Sequence, residues 1–348
     1  MINTAWTRRS FDSLQKRGQI VSERQGIRFS LPVLFLFLAV SLLCLIPWAC
    51  VSAEDGVGET NAFAVVLGIA QDGGFPQAGC QKPCCESAWR NVDSRKQVAS
   101  LAIVDPVSNQ RWIIDATPSL PAQLHALNQV GKPKAKGPLL DGILLTHAHV
   151  GHYGGLLHLG REVMGTNGIK VLAMPRMKVF LETNGPWSQL VDLNQIEIEK
   201  IAAGQLLTLN ERLSVIPFLV PHRDEFSETV GYQINGPNRR ILYLPDIDKW
   251  EKWDVKIEDL IEGVDVALLD GTFYAADELP GRDMSEIPHP FIVESISRFK
   301  SLPMAERKKV QFIHFNHTNP LLNAESSESQ AILSAGHQIT QEMDVIGL

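Results

Sequence analysis

The stretch Leu144–Leu157, LLTHAHVGHYGGLL, places His147, His149 and His152 directly behind a short apolar run. Two histidines one residue apart, leaving the end of a strand, reach a single metal ion together. The third lies three residues further on, where the chain can turn back and face a second ion beside the first. Neutral imidazole is the commonest ligand for zinc and suits iron equally well. A solvated polar loop is the plain alternative. It does not call for three of the chain's ten histidines within six residues, and clustered polar groups need partners.

Outward from this cluster the chain alternates short β-rich runs with helix-like segments. Strands are expected over 63–69, 100–105, 112–115, 142–146, 170–173, 213–220, 229–234, 240–244, 264–269 and 310–315. These runs are rich in Val, Ile, Leu and Phe, and most are bounded by Gly, Pro, Asn or Asp. Helices are expected over 119–130, with Ser119 as N-cap before Pro121, and over 175–183, 290–300 and 323–334. Many strands with interspersed helices point to a layered α/β architecture. No internal repeat or low-complexity tract is evident.

The first fifty or so of the 348 residues do not read as fold. Leu31–Trp48, LPVLFLFLAVSLLCLIPW, is nearly unbroken apolar sequence, preceded by Arg8, Arg9, Lys16, Arg17, Arg24 and Arg28. Val51, Ser52 and Ala53 form a cleavage site before Glu54. The layout is that of a secretory signal peptide over 1–53, and its long basic leader points to a start downstream of Met1. An uncleaved membrane anchor and lipidation at Cys50 are the alternatives. The mature chain, 54–348, suits one large domain in the periplasm or outside the cell, touching a membrane only if the N-terminal segment is retained. Its formal net charge of −7 for the full chain, with no basic stripe, argues against nucleic acid as a partner.

The histidine cluster resembles the signature of the metallo-β-lactamase superfamily, His-x-His-x-Asp-His after a strand, except that Gly151 stands in place of Asp. The resemblance implies an αβ/βα four-layer sandwich: two facing sheets, helices outside, metals at one edge. It also implies the ligands. In Val220-Pro-His222, followed by Gly231-Tyr232, His222 would join His147 and His149 on a first ion, as in the ribonuclease Z and phosphonate-pathway phosphodiesterase branch. In Leu244-Pro-Asp246-Ile-Asp248, Asp246 would bridge two ions, with Asp248 as the local alternative. In Phe312-Ile-His314, His314 would hold the second ion with His152 and Asp246. Asp115 would orient the histidine loop by hydrogen bonds. Asp270 would support the site from behind, or simply start a turn before Gly271. Two histidines and a carboxylate also make the facial triad of non-haem iron, and Gly151 would either leave open positions there or simply weaken that site.

Cys44 and Cys50 belong to the export segment, leaving Cys80, Cys84 and Cys85 in the mature chain. A single disulfide from Cys80 would strand an odd thiol. Three adjacent thiolates instead suit one structural zinc ion, which takes four ligands. By resemblance to the phosphodiesterase branch, His317 is the fourth.

The Gly-Gly-Phe-Pro-Gln turn ending at Gln77, Leu269-Asp-Gly-Thr-Phe273, the Met284 to Pro288-His289-Pro-Phe-Ile stretch and Asn316 to Leu322 resemble the pyrroloquinoline-quinone synthesis protein B family. The expected function is exported, metal-dependent hydrolysis of a small-molecule ester or phosphodiester, using one or two catalytic ions of zinc, iron or manganese. An ion at His147, His149 and His222 would acidify water and polarise the scissile group. Asp246 would act catalytically, orienting that water. The alternatives are an iron-dependent oxidative or transport-linked role in pyrroloquinoline-quinone synthesis, and a non-catalytic cofactor carrier.

Overall fold

The computed structural model describes residues 61–130 and 138–348. The expected export segment and its cleavage site lie outside them. Among the described residues no helix is long and apolar enough to cross a membrane.

Among the described residues fourteen strands form two seven-stranded sheets. The first holds β1 (Phe63–Gly68), β2 (Ser100–Asp105), β3 (Gln110–Ile114), β4 (Gly142–Leu144), β5 (Ile169–Ala173) and β6 (Ile196–Lys200) in chain order. The second holds β7 (Leu207–Thr208), β8 (Ser214–Leu219), β9 (Val230–Asn235), β10 (Arg240–Leu244), β11 (Val266–Asp270), β12 (Val310–Ile313) and β13 (Gln338–Ile339), also in order. The last strand, β14 (Val345–Gly347), returns to flank β1.

The two sheets share one plan. From β14 and from β7, three antiparallel pairings are followed by three parallel ones. The sequence carries no repeat to announce this, because β pairing constrains the pattern of burial rather than residue identity.

Alternation along the first sheet places the core. Ala64 and Val66 join a cluster with Leu101, Ile103, Val215, Tyr232 and Ile234 from both sheets. Phe63, Val65 and Leu67 face the other way, onto Leu120, Leu124 and Leu127 of the helix Leu120–Asn128 and Met177 and Leu181 of the helix Pro175–Thr183. A period of two buries both faces of a sheet in this way only when each face has its own cover. On the second sheet that cover includes the helices Ile257–Glu262, Ile292–Phe299 and Ser327–Ser334. The result is a layered sandwich of helices, sheet, sheet and helices.

Several details differ from the sequence-based expectation. The strands β6, β7, β13 and β14 and the helix Pro83–Arg90 were not anticipated. Ser119 is an N-cap by position, but its side chain makes no capping bond; its Oγ accepts from the Val98 N–H instead.

One edge joins the sheets. Ala70, just past β1, forms bridges with both Val98 and Phe315. The Gln71 N–H donates to the Phe315 carbonyl at 2.8 Å, and the Phe315 N–H donates to Ile69 at 2.8 Å. Tyr232 adds a second tie, donating its hydroxyl to the Leu145 carbonyl at 2.7 Å. The strand ends that carry the histidines therefore converge on one edge.

Candidate metal centre

His147, His149 and His152 sit between the end of β4 and a single helical turn, Val150–Tyr153. His222 follows β8, Asp246 follows β10 and His314 follows β12. The structure brings all six together. His147 Nε2 lies 2.8 Å from His149 Nδ1, and these two with His222 form one set of donor atoms within 4.8 Å of one another. His152 Nε2 and His314 Nε2 point to a second place, 3.1 and 3.3 Å from Asp246 Oδ2. The other oxygen of that carboxylate, Asp246 Oδ1, lies 3.6 Å from His222 Nε2. Asp246 thus turns one oxygen to each set. Asp248 turns away and pairs with Lys252 at 2.9 Å.

Outer partners fix the tautomers. Asp115 Oδ1 accepts from the Thr146 N–H at 2.8 Å and from its hydroxyl at 2.9 Å, and Asp115 Oδ2 accepts from His152 Nδ1 at 2.7 Å. The Thr146 hydroxyl, already donating, is then the acceptor for His147 Nδ1 at 3.0 Å. The second sheet repeats the device: Thr272 donates to Asp270 Oδ1 at 2.7 Å and accepts from His314 Nδ1 at 2.9 Å. With each proton on Nδ1, the Nε2 lone pairs of His147, His152 and His314 face the centre, as metal-ligating imidazoles require. Asp115 and His314 both adopt φ near +69°, an uncommon backbone for residues other than glycine, concentrated at functional sites.

Whether these residues fit metal ions is answered by the atoms they leave unpaired. Asp246 Oδ2, His152 Nε2, His222 Nε2 and His314 Nε2 are buried with no hydrogen-bond partner. Some lie within 3.3 Å of one another without the alignment of a hydrogen bond. Buried polar atoms rarely stay orphaned, and their convergence is that of ligands around shared ions. Burial holds His147, His149, His222 and His314 below the ordinary imidazole value, His222 at about 3. They are therefore neutral at pH 7, the form that ligates. Burial also opposes a charge on His152, but Asp115 and Asp246 override it and raise its pKa. Bound cations would balance those carboxylates in place of that proton.

Two neighbours were not foreseen. His289, between Pro288 and Pro290, donates Nδ1–H to Asp270 Oδ2 at 2.7 Å. It packs its ring 5.1 Å from that of His222, centroid to centroid. Burial depresses its pKa, but Asp270 outweighs it and raises the value. Asp270 also accepts from the Ile247 N–H at 3.1 Å, so it holds the turn after Asp246 as well as His289. The second neighbour corrects the expected opening at Gly151. A Cβ at 151 would lie 2.1 Å from Asp72 Oδ1 and 2.6 Å from Asp72 Cα. The space is filled by another residue's side chain.

Cys80, Cys84, Cys85 and His317 form a separate group within 4.8 Å. Cys84 and Cys85 Sγ lie 3.6 and 3.3 Å from His317 Nδ1, and all three cysteines are free. Cys80 and Cys84 Sγ are 3.8 Å apart, far beyond the roughly 2.05 Å of a disulfide. Burial, with the neighbouring thiols, pushes Cys85 up to about 12. Three thiolates cannot coexist there without a cation, and a closed Cys₃His set is the donor chemistry zinc takes.

The cleft beside His289 has a volume of about 530 Å³. Lys82, Arg223 and Arg282 line it, together with Gln71, Asn316 and His317, and no acidic residue is among its lining. In a chain of net charge −7 this is a locally positive mouth.

The fold is of the metallo-β-lactamase type, and the donor clusters at its edge are of a kind able to hold metal ions. A model of the beta-lactamase superfamily domain matches residues 110–315, and the chain belongs to that superfamily. Within it the chain is similar to coenzyme PQQ synthesis protein B. The protein of that name from Methylobacterium nodulans is 30% identical over 302 residues, covering 79% of this chain and 96% of its own length. The crystal structure of zinc-bound PqqB from Methylobacterium extorquens has a TM-score of 0.70 at 23% identity, covering 82% of this chain and 100% of that one. A diphosphatase of the PhnP family shares the fold at TM-score 0.57 and 20% identity, covering 83% of this chain and 97% of that one.

Proposed function

We propose that this PqqB-like chain is a metal-dependent hydrolase acting on a small anionic ester, a phosphodiester before a neutral carboxyl ester. The observation that carries the reading is Asp246, which presents one oxygen to the His222 side and the other to His152 and His314. Ions held by these two sets would polarise the scissile group and acidify water, the chemistry common to paired-metal hydrolases. The chain's own residues do the rest. Lys82, Arg223 and Arg282 draw an anionic substrate into the cleft and offset its charge. Asp246 fixes the direction of attack. His289, oriented by Asp270, which raises its pKa against the effect of burial, is placed to give a proton to the departing alkoxide.

The names of the relatives support a second reading, a step in pyrroloquinoline-quinone synthesis. An oxidative version would need an open position for dioxygen beside His152, His314 and Asp246, and the Asp72 side chain fills the place where Gly151 suggested one. A carrier without catalysis has no use for the His289–Asp270 pair. The structural ion is proposed to be zinc. Export is proposed from the layout of residues 1–53, and N-terminal sequencing of the mature protein checks it.

The test is hydrolysis of bis(p-nitrophenyl) phosphate against p-nitrophenyl acetate by protein loaded with zinc or manganese. The diester should be turned over, and His222→Ala should reduce that turnover by about 10²–10³-fold with the fold intact, the usual cost of removing a single key electrostatic group. Preference for the acetate, or wild-type turnover in His222→Ala, contradicts the reading.

A further inference from the structure

The carboxylate absent at position 151 is supplied from elsewhere in the chain. Gly151 and Asp72 are 79 residues apart in sequence, yet a Cβ built on Gly151 would fall 2.1 Å from Asp72 Oδ1. Asp72 therefore puts its carboxylate into the volume that a side chain at 151 would enter. Its Oδ1 is buried and has no hydrogen-bond partner, although the Asp72 side chain as a whole is 25% exposed. That oxygen lies 3.2 Å from His152 Nε2 and 4.0 Å from His314 Nε2, both on fully buried side chains and both unpaired. Asp72, His152 and His314 offer one ligand atom each within 4.8 Å of one another.

The backbone explains why Asp72 stays there. The bridges of Ala70 to Val98 and Phe315, the Gln71 bond to Phe315 and a turn closed by the Gly74 N–H on the Gln71 carbonyl at 2.7 Å fix the residues on either side. Gly74 takes φ +68°, the left-handed conformation that a glycine adopts without strain. A few residues later the Cys80, Cys84, Cys85 and His317 group clips the same loop to the segment that follows His314. A bulkier residue at 151 could not coexist with Asp72 in this position.

We propose that Asp72 is a ligand of the second ion, replacing in space the carboxylate that a residue at 151 would bring. The second site is then Asp72, His152, His314 and Asp246, two imidazoles and two carboxylates. That set suits zinc or manganese. The proposal rests on the paired-ion reading of the centre and not on the reaction assigned to it.

The test is calorimetric titration of zinc into full-length protein stripped of labile metal, its Cys₃His site still loaded as a check of folding. The variants are Asp72→Asn, Gly151→Asp and the exchange Asp72→Gly/Gly151→Asp. Wild type should bind two labile ions. Asp72→Asn should bind the second at least about 100-fold more weakly, the upper end of what loss of even an outer partner costs. Gly151→Asp alone should weaken the second site too, because its Cβ collides with Asp72. The exchange should regain the second ion. Wild-type affinity for two ions in Asp72→Asn overturns the proposal, and an exchange variant with only one ion overturns the equivalence of the two positions. A wild type that binds a single labile ion overturns the paired centre itself, and the proposal with it.

Discussion

Asp270 shows how one carboxylate can serve several parts of a site. It accepts from the Thr272 hydroxyl, which faces His314, from the Ile247 N–H beside Asp246, and from His289. His289 has no partner role in either proposed ion set, and its function as proton donor can be isolated. His289→Ala should slow diesters with a poor leaving group, such as phenyl, by about 10²–10⁴-fold, the usual worth of general acid catalysis. Esters with a p-nitrophenyl leaving group, which departs without protonation, should be slowed far less, and zinc content should not change. Equal losses for both leaving groups would make His289 a packing residue. At this scale the sequence was partly legible. His147, His149 and His152 declare themselves through local spacing, and His222, Asp246 and His314 only through the likeness of their flanking motifs to the superfamily's. Asp72 and His289 did not, because a ligand or acid that arrives from a distant loop leaves no spacing to read.

At the scale of elements, the loops after β1 and β11 decide what reaches the centre. The loop after β11, leading to His289, is held in part by Glu278, whose carboxylate accepts from the Tyr274 N–H and the Thr318 hydroxyl, each at 2.5 Å. Burial pushes this group up to about 7, outweighing those two donors. A carboxyl whose folded pKa lies above its unfolded value binds its proton more tightly in the folded state. Stability is therefore full below about pH 4.5 and falls as pH rises toward 7, by up to about 3 kcal/mol at about 1.4 kcal/mol per pKa unit. Glu278→Gln should raise the melting temperature at pH 8 and leave it nearly unchanged at pH 4. An equal change at both values would exclude ionisation as the cause. Among the elements themselves, long apolar strands such as β2 and β10 were readable because both faces are buried. The two-residue strands β7 and β13 were not, since pairing across the sheet rather than local pattern creates them. The helix Pro83–Arg90 was hidden by its own cysteines, although Pro83 at its start is an ordinary helix-opening signal.

At the scale of the molecule, two sheets of one plan meet at an edge, and each contributes an aspartate–threonine pair, Asp115–Thr146 and Asp270–Thr272, that aims histidines inward. The layered α/β class followed from strand and helix alternation, and the resemblance around His147 chose the sandwich within that class. The doubled plan and the filling of position 151 emerge only in three dimensions. The proposed centre is a pair of ions flanking Asp246, with Asp72 on the second, beside a separate Cys₃His site. The most direct measurement is a crystal structure of the metal-loaded protein with anomalous scattering collected at the zinc edge. Three peaks per chain are predicted: one among Cys80, Cys84, Cys85 and His317, one touching His147, His149 and His222, and one touching Asp72, His152 and His314, the last two sharing Asp246. A single peak beside Asp246, or a second one that Asp72 does not touch, would contradict the account.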